Sequence, residues 1–187
     1  IRRSFDMISN IRPAKSHPSV PSLHQDVDLI IVRENNEGFQ PDRNMFKGMA
    51  EFMPTPDMAL SMRVITRKNS AFVARASFEL ARQRNRKKKV TAIHKNTVFK
   101  IGCGLFVDTC KEVSKEYPDI SFETRVVDTF AMNLVMKPQD FDVVVTTNMF
   151  GDILSDLAAE LSGGLGLGPS INAGDDRAIA QASHGSA

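Results

Sequence analysis

The sequence predicts an α/β fold. Short runs rich in Val and Ile alternate with longer stretches of helical periodicity, the pattern of strand–helix–strand units. The chain, at 187 residues, is long enough to bury a substantial core in one large or two small domains. Its 42% hydrophobic content and mean hydropathy of −0.21 are those of a water-soluble globular protein.

Five segments read as strands: 27–32 (VDLIIV), 61–66 (SMRVIT), 90–93, 122–127 and 142–147 (DVVVTT). Between them lie helical stretches at about 69–85, 97–116, 129–137 and 150–162. In the first of these, Asn69 is a cap-type residue, followed by Phe72, Ala76 and Leu80 at i, i+4, i+8 spacing. Residues 38–60, rich in Met, Pro and Gly, break the alternation. They fit a protruding arm whose apolar residues make a subunit contact, and equally a folded excursion packing its own side chains.

Charge and cysteine usage narrow the function classes. The net charge of +2 gives no strong field toward nucleic acid. The dense basic run, Arg82 to Lys89, follows a helical stretch and contains no aromatic residue, so it reads as the solvated C-terminal end of a helix. No stretch approaches the roughly 18 apolar residues that span a bilayer, so no membrane partner is expected. Cys103 and Cys110 stand seven residues apart on one helix, about 10 Å at 1.5 Å rise per residue, too far for a disulfide. No CxxC or Cys/His cluster suggests zinc. Reduced structural cysteines in a cytoplasmic protein are the expectation.

The segment Phe150–Leu161 (FGDILSDLAAEL) is the most informative. At helical spacing Phe150, Ile153, Leu154, Leu157, Ala158 and Leu161 form an apolar stripe, with Asp152, Asp156 and Glu160 along the opposite face. Two carboxylates one turn apart can converge on a hard cation such as Mg²⁺ or Mn²⁺. By spacing alone a solvated acidic face fits better. Asp152, however, follows the strand DVVVTT by a short link, at the carboxyl end where open α/β sheets place their sites. The glycine-rich run 163–168 matches neither a dinucleotide fingerprint nor a phosphate loop and says only that the backbone turns tightly. No helix or strand is expected after it.

Together these residues resemble the isocitrate/isopropylmalate dehydrogenase family of β-decarboxylating enzymes. The likeness runs over nearly the whole chain in ordered motifs: Ile1-Arg2-Arg3, Asn10-Ile11-Arg12-Pro13, Val32-Arg33-Glu34-Asn35, His94-Lys95, Val127-Asp128, Thr147 to Asp156, and His184-Gly185-Ser186-Ala187. The resemblance implies that Arg2, Arg12 and Arg33 bind the carboxylates of a malate-type 2-hydroxy acid, a task suited to bidentate guanidinium groups. It implies Lys95 as the group handling the hydroxyl proton. Asp152 and Asp156 would hold Mg²⁺ or Mn²⁺, Asp152 thereby counting as catalytic, with Asp128 lent by a neighbouring subunit. His184, Gly185, Ser186 and Ala187 would open the loop that meets the adenosine end of NAD, or of NADP.

The implied protein is a homodimer or larger assembly with a shared active site and a small-molecule substrate. The implied fold is the central part of that family's: residues 1–25 from the larger domain, 26–150 as the smaller domain with its arm, and 151–187 returning to the larger domain. Arg33-Glu34-Asn35 and His94-Lys95 look closer to isocitrate, homoisocitrate or tartrate enzymes than to isopropylmalate enzymes. Two positions depart from the family pattern. Gln40 stands seven residues after Arg33, where the family usually has a proton-donating tyrosine, and Asn96-Thr97 follows Lys95, where a small residue and then Asn are usual. Gln40 opens an alternative: a non-catalytic or regulatory subunit with the same fold.

Overall fold

A computed structural model of the chain describes residue 2 and residues 4–39 and 50–183. Among the described residues, nine strands and four α-helices run in the order β1 (Ser9–Lys15), β2 (Asp28–Glu34), β3 (Glu51–Thr55), β4 (Met58–Ser61), α1 (Arg67–Arg84), β5 (Lys89–His94), α2 (Lys100–Ser114), β6 (Ser121–Val126), α3 (Val127–Met136), β7 (Val143–Thr146), α4 (Asn148–Ser162), β8 (Pro169–Ala173) and β9 (Ala178–Ala182). Seven strands form one mixed sheet in the order β6-β5-β7-β2-β1-β8-β9. The first four of that order are mutually parallel, and β1, β8 and β9 are joined antiparallel. The segments 1–25, 26–150 and 151–187 all contribute strands to it.

The parallel strands are buried on both faces, which is why they read as unbroken apolar runs. In β2, Ile30 and Val32 pack with Val73, Phe78, Phe106 and Val113 of α1 and α2. Leu29 and Ile31 pack on the other face with Phe130, Leu134, Phe150 and Leu154 of α3 and α4. Strand alternation thus divides one short segment between two cores. Because β2, β5, β6 and β7 are parallel, their carboxyl ends lie on one edge, and the chain leaves that edge at Glu34, His94, Val126 and Thr146.

Several expectations are revised. The strand read at 61–66 is not formed: β3 and β4 make a separate two-stranded sheet, exposed throughout, that ends at Ser61, and among the described residues of 62–66 Val64 alone makes a β-bridge, to Gly38. The segment 38–60 is in its described part that projecting hairpin. Helix α1 starts two residues earlier than read, because Thr66 rather than Asn69 caps it, its hydroxyl accepting from the Asn69 N–H. Ile153, placed on the buried stripe of α4, is 61% exposed and faces away from the core. Strands β8 and β9 follow the glycine run where none was expected, since their small residues carry no β-branched periodicity. Both cysteines are buried and free on α2. Among the described residues no helix is long and apolar enough to cross a membrane. The basic run is more than solvated: Arg82 pairs with Asp119, Arg84 with Asp28 and Asp142, Arg86 with Asp28, and Lys89 with Glu123.

Candidate active site

The site is built on the carboxyl edge of the sheet, where α4 leaves β7. Helix α4 lies close over β2 because residue 151 is glycine: a Cβ there would stand 2.7 Å from both Cβ and Cγ of Arg33. This approach places Asp152 directly above the Arg33 guanidinium. One Arg33 nitrogen binds Asp152, while Nε and Nη2 donate to Asn148 Oδ1 at 3.1 and 2.7 Å. Arg33 is buried, and desolvation lowers its pKa to about 10, against the opposing pull of Asp152. It remains a cation at neutral pH.

Arg12 projects from β1 toward the same helix. Its Nη1 lies 3.2 Å from Asp152 Oδ1 and 3.2 Å from Asp156 Oδ1, and donates to Ser155 Oγ at 2.7 Å. The two guanidinium groups are buried, with side chains 5% and 7% exposed, whereas Asp152 and Asp156 are 44% and 33% exposed. The arginines therefore form the floor and the carboxylates the mouth. Beneath them runs a chain of amides. Asn10 accepts from Arg12 Nε at 2.6 Å, Asn10 and Asn35 both donate to Asn172 Oδ1 at 3.0 Å, and Asn35 Oδ1 accepts from Arg2 Nη1 at 3.2 Å. Three buried asparagines from β1, the end of β2 and β8 so tie Arg2 to Arg12.

Two buried acids brace the turn that follows Arg33. Glu34 accepts the backbone N–H groups of Asn36 and Glu37, both at 2.8 Å, and the Asn69 amide at 3.2 Å. Glu37 accepts both the N–H and the hydroxyl of Thr66, at the N-terminus of α1. Burial raises the Glu34 pKa to about 7 and raises that of Glu37 as well.

Lys95 and Asp128 meet each other rather than Asp152. They follow the adjacent parallel strands β5 and β6, and Lys95 Nζ lies 2.6 Å from Asp128 Oδ2. That hydrogen bond holds the Asp128 carboxyl below its ordinary range. His94, just before Lys95, is buried and its pKa is lowered by desolvation. The fold thus assembles Arg2, Arg12, Arg33, Asp152 and Asp156 into one network and Lys95 with Asp128 into another. No group of three His, Cys, Asp or Glu side chains suited to a metal forms among the described residues. Gln40 and His184, Gly185, Ser186 and Ala187 lie outside the described residues.

The donor chemistry of α4 fits a hard divalent cation. Asp152 and Asp156 already direct one oxygen each at a single positively charged nitrogen, Arg12 Nη1, from adjacent turns. All-oxygen carboxylate donors are what Mg²⁺ and Mn²⁺ prefer.

The family model for isocitrate/isopropylmalate dehydrogenase matches residues 1–187. The chain belongs to this family. The 3-isopropylmalate dehydrogenase of Archaeoglobus fulgidus is 47% identical over the whole chain, which covers 55% of that protein. The isocitrate/homoisocitrate dehydrogenase of Thermus thermophilus is also 47% identical, with 53% of its length covered. Among solved structures, the isocitrate dehydrogenase of Methylococcus capsulatus superposes with a TM-score of 0.86 at 44% identity, over 98% of this chain and 53% of that one. The chain spans about half the length of the curated relatives it matches.

Within this isocitrate/isopropylmalate dehydrogenase-type chain, the charged residues of the motifs are held by polar side chains to which the sequence reading assigns no role. Asn10, Asn35, Asn148, Ser155 and Asn172 are buried polar side chains in contact with the arginines or with one another. Asn10, Asn35 and Asn148 stand inside the quoted motifs, so their place beside an arginine or an aspartate was the available signal. Asn172 carried none.

Proposed function

We propose that the protein containing this chain catalyses NAD(P)-dependent, divalent-metal-dependent oxidative decarboxylation of a malate-type 2-hydroxy acid, of the isocitrate, isopropylmalate, homoisocitrate or tartrate class. The observation that carries this reading is the set of two carboxylates on α4 converging on Arg12 directly over a buried arginine floor. A dicarboxylate substrate matches the floor: buried guanidinium groups offer paired, charge-assisted hydrogen bonds that a carboxylate can accept. A divalent cation and a dicarboxylate arriving together bring no net charge, so they exchange ion-pair partners with the arginines and aspartates without leaving an excess of either sign. Mg²⁺ or Mn²⁺, held by Asp152 and Asp156 with Asp128 of a neighbouring subunit, would supply Lewis-acid polarisation of the substrate oxygen.

Lys95 is the group proposed to take the hydroxyl proton while hydride leaves the adjacent carbon for the nicotinamide. Its ion pair with Asp128 has a consequence for subunit organisation. If Asp128 serves a neighbour's metal site, Lys95 goes with it, because the two are one unit on β5 and β6. The active site is then completed by a second copy of the chain. His184, Gly185, Ser186 and Ala187 are proposed to meet the cofactor's adenosine end. The boundaries at 25/26 and 150/151 are proposed as the points where larger and smaller domain exchange.

The test is an assay of the full-length protein with Mn²⁺, NAD or NADP, and a panel of 2-hydroxy acids bearing two or three carboxylates. Cofactor reduction coupled to CO₂ release is the expected result. Absence of cofactor reduction with every member of the panel contradicts the catalytic reading.

A further inference from the structure

The structure assigns to Arg63 a role that rests on the proposed reaction: we infer that it is a positioning residue, clamping the turn that carries Lys95 to the first turn of the helix that carries Asp152. Arg63 stands just past the projecting hairpin, two residues after β4, and is half-buried. Its Nη2 donates to Thr147 Oγ1 at 3.0 Å and its Nη1 to Cys103 Sγ at 3.3 Å. Cys103 Sγ in turn accepts the backbone N–H of Lys95 at 3.4 Å. One planar guanidinium thus reaches the N-cap of α4 on one side and, through a single sulfur, the Lys95 backbone on the other.

Three aromatic rings fix its position. The Arg63 guanidinium carbon lies 4.9 Å from the Phe99 ring centre, 5.6 Å from Phe150 and 5.8 Å from Phe39. Each ring belongs to a segment of the proposed site. Phe99 closes the Lys95 turn, its N–H donating to the Lys95 carbonyl at 2.8 Å. Phe150 precedes Gly151 and Asp152, and Phe39 follows the turn braced by Glu34 and Glu37. Such ring contacts hold a cation in place with useful energy once it is partly desolvated.

Two features separate this arrangement from an ordinary surface arginine. No carboxylate pairs with Arg63 among the described residues, so a simple ion pair does not account for its placement. The Thr147 hydroxyl sits where it would ordinarily cap α4, but makes no capping bond and accepts from Arg63 instead. Only a flat fork with several donors can span Thr147 and Cys103 together. Lysine keeps the charge over the rings but offers a single nitrogen.

The experiment uses the full-length protein and the variants Arg63→Met, Arg63→Lys, Thr147→Val and Cys103→Ala. Two readouts are taken. The first is kcat and substrate KM against pH. The second is competitive acetylation of Lys95 by acetic anhydride, followed by peptide mass spectrometry and normalised to the exposed Lys87 and Lys115. Arg63→Met is expected to lower kcat roughly 10- to 100-fold, as loss of alignment does, with KM moved less than about threefold. The acetylation of Lys95 relative to the two reference lysines should change, because the turn that carries it is no longer held to Thr147. Arg63→Lys should recover part of both, and each single-acceptor variant should show a smaller change in the same direction. Should Arg63→Met fail to fold, Thr147→Val and Cys103→Ala carry the same test. Parental kcat and a parental Lys95 profile in the folded variants overturn the assignment. If the parent protein is inactive toward all substrates, the proposed reaction fails, while the acetylation profiles still decide whether Arg63 positions Lys95.

Discussion

Arg33 shows how much one residue does here. Three of its nitrogens are engaged, two by Asn148 and one by Asp152, and its Cβ and Cγ receive the close approach of Gly151. Arg33→Lys keeps one charge and loses the fork, so substrate KM should rise about 10- to 100-fold, the loss of one or two charge-assisted hydrogen bonds. Steady-state kinetics checks it, with kcat at saturation the less affected constant. The neighbouring Glu34 makes a different prediction. Its folded pKa is raised by burial from 4.5 to about 7, so its stabilising contribution is complete below about pH 4.5 and is lost as pH rises through 7. Chemical denaturation of the parent across pH 4.5–8 should show this decline, to which Glu34 adds a slope of at most about 1.4 kcal/mol per pH unit, and Glu34→Gln should lessen it while the contribution of Glu37 remains. At this scale the charged residues were legible because each sits in a motif of fixed order. The asparagine chain was not, since Asn10 and Asn172 meet only when β1 pairs with β8, across 162 positions. Nor was Arg63, which carries no motif.

Elements matter through how closely they approach. Helix α4 presents Asp152 and Asp156 over Arg12 and Arg33 because Gly151 admits the Cβ and Cγ of Arg33. Gly151→Ala should push the helix outward, lower Tm by several degrees, as a strained buried substitution costing 1–3 kcal/mol does, and weaken Mn²⁺ binding in parallel. A thermal melt with and without Mn²⁺ measures both. The four helices and the central parallel strands were readable to within a few residues, because their apolar periodicity is set by burial on one or both faces. Strand β1 escaped, since SNIRPAK buries Asn10 and Arg12 where a strand ordinarily buries apolar side chains. Strands β3 and β4 escaped for the opposite reason: both of their faces are exposed, so no burial imposes alternation. The exposed Ile153 on α4 shows the limit of a helical stripe, which gives the spacing of apolar residues but not which of them face this chain's own core.

At the scale of the whole molecule, Ile153 joins a larger pattern. Met132, Val135 and Met136 of α3 and Met149 and Ile153 of α4 are exposed large hydrophobics on two helices that touch, and Phe52, Met53, Met58 and Leu60 are exposed on the hairpin. Apolar surface of this extent is characteristic of association sites. The full-length protein is therefore expected to sediment as a dimer or larger in analytical ultracentrifugation, and Met136→Glu with Ile153→Lys should weaken that assembly. The proposed shared site accords with Asp128 standing with Lys95 instead of beside Asp152. The proposed chemistry depends on Asp152 and Asp156 forming a divalent-metal site over a carboxylate-binding arginine floor. Its most direct measurement is Mn²⁺ binding to the full-length protein, followed by electron paramagnetic resonance of the free ion, for the parent and Asp152→Asn, with and without a malate-type dicarboxylate. Binding should be saturable, tighten with the dicarboxylate and be lost in Asp152→Asn. Equal binding by parent and variant, unaffected by the dicarboxylate, would contradict it.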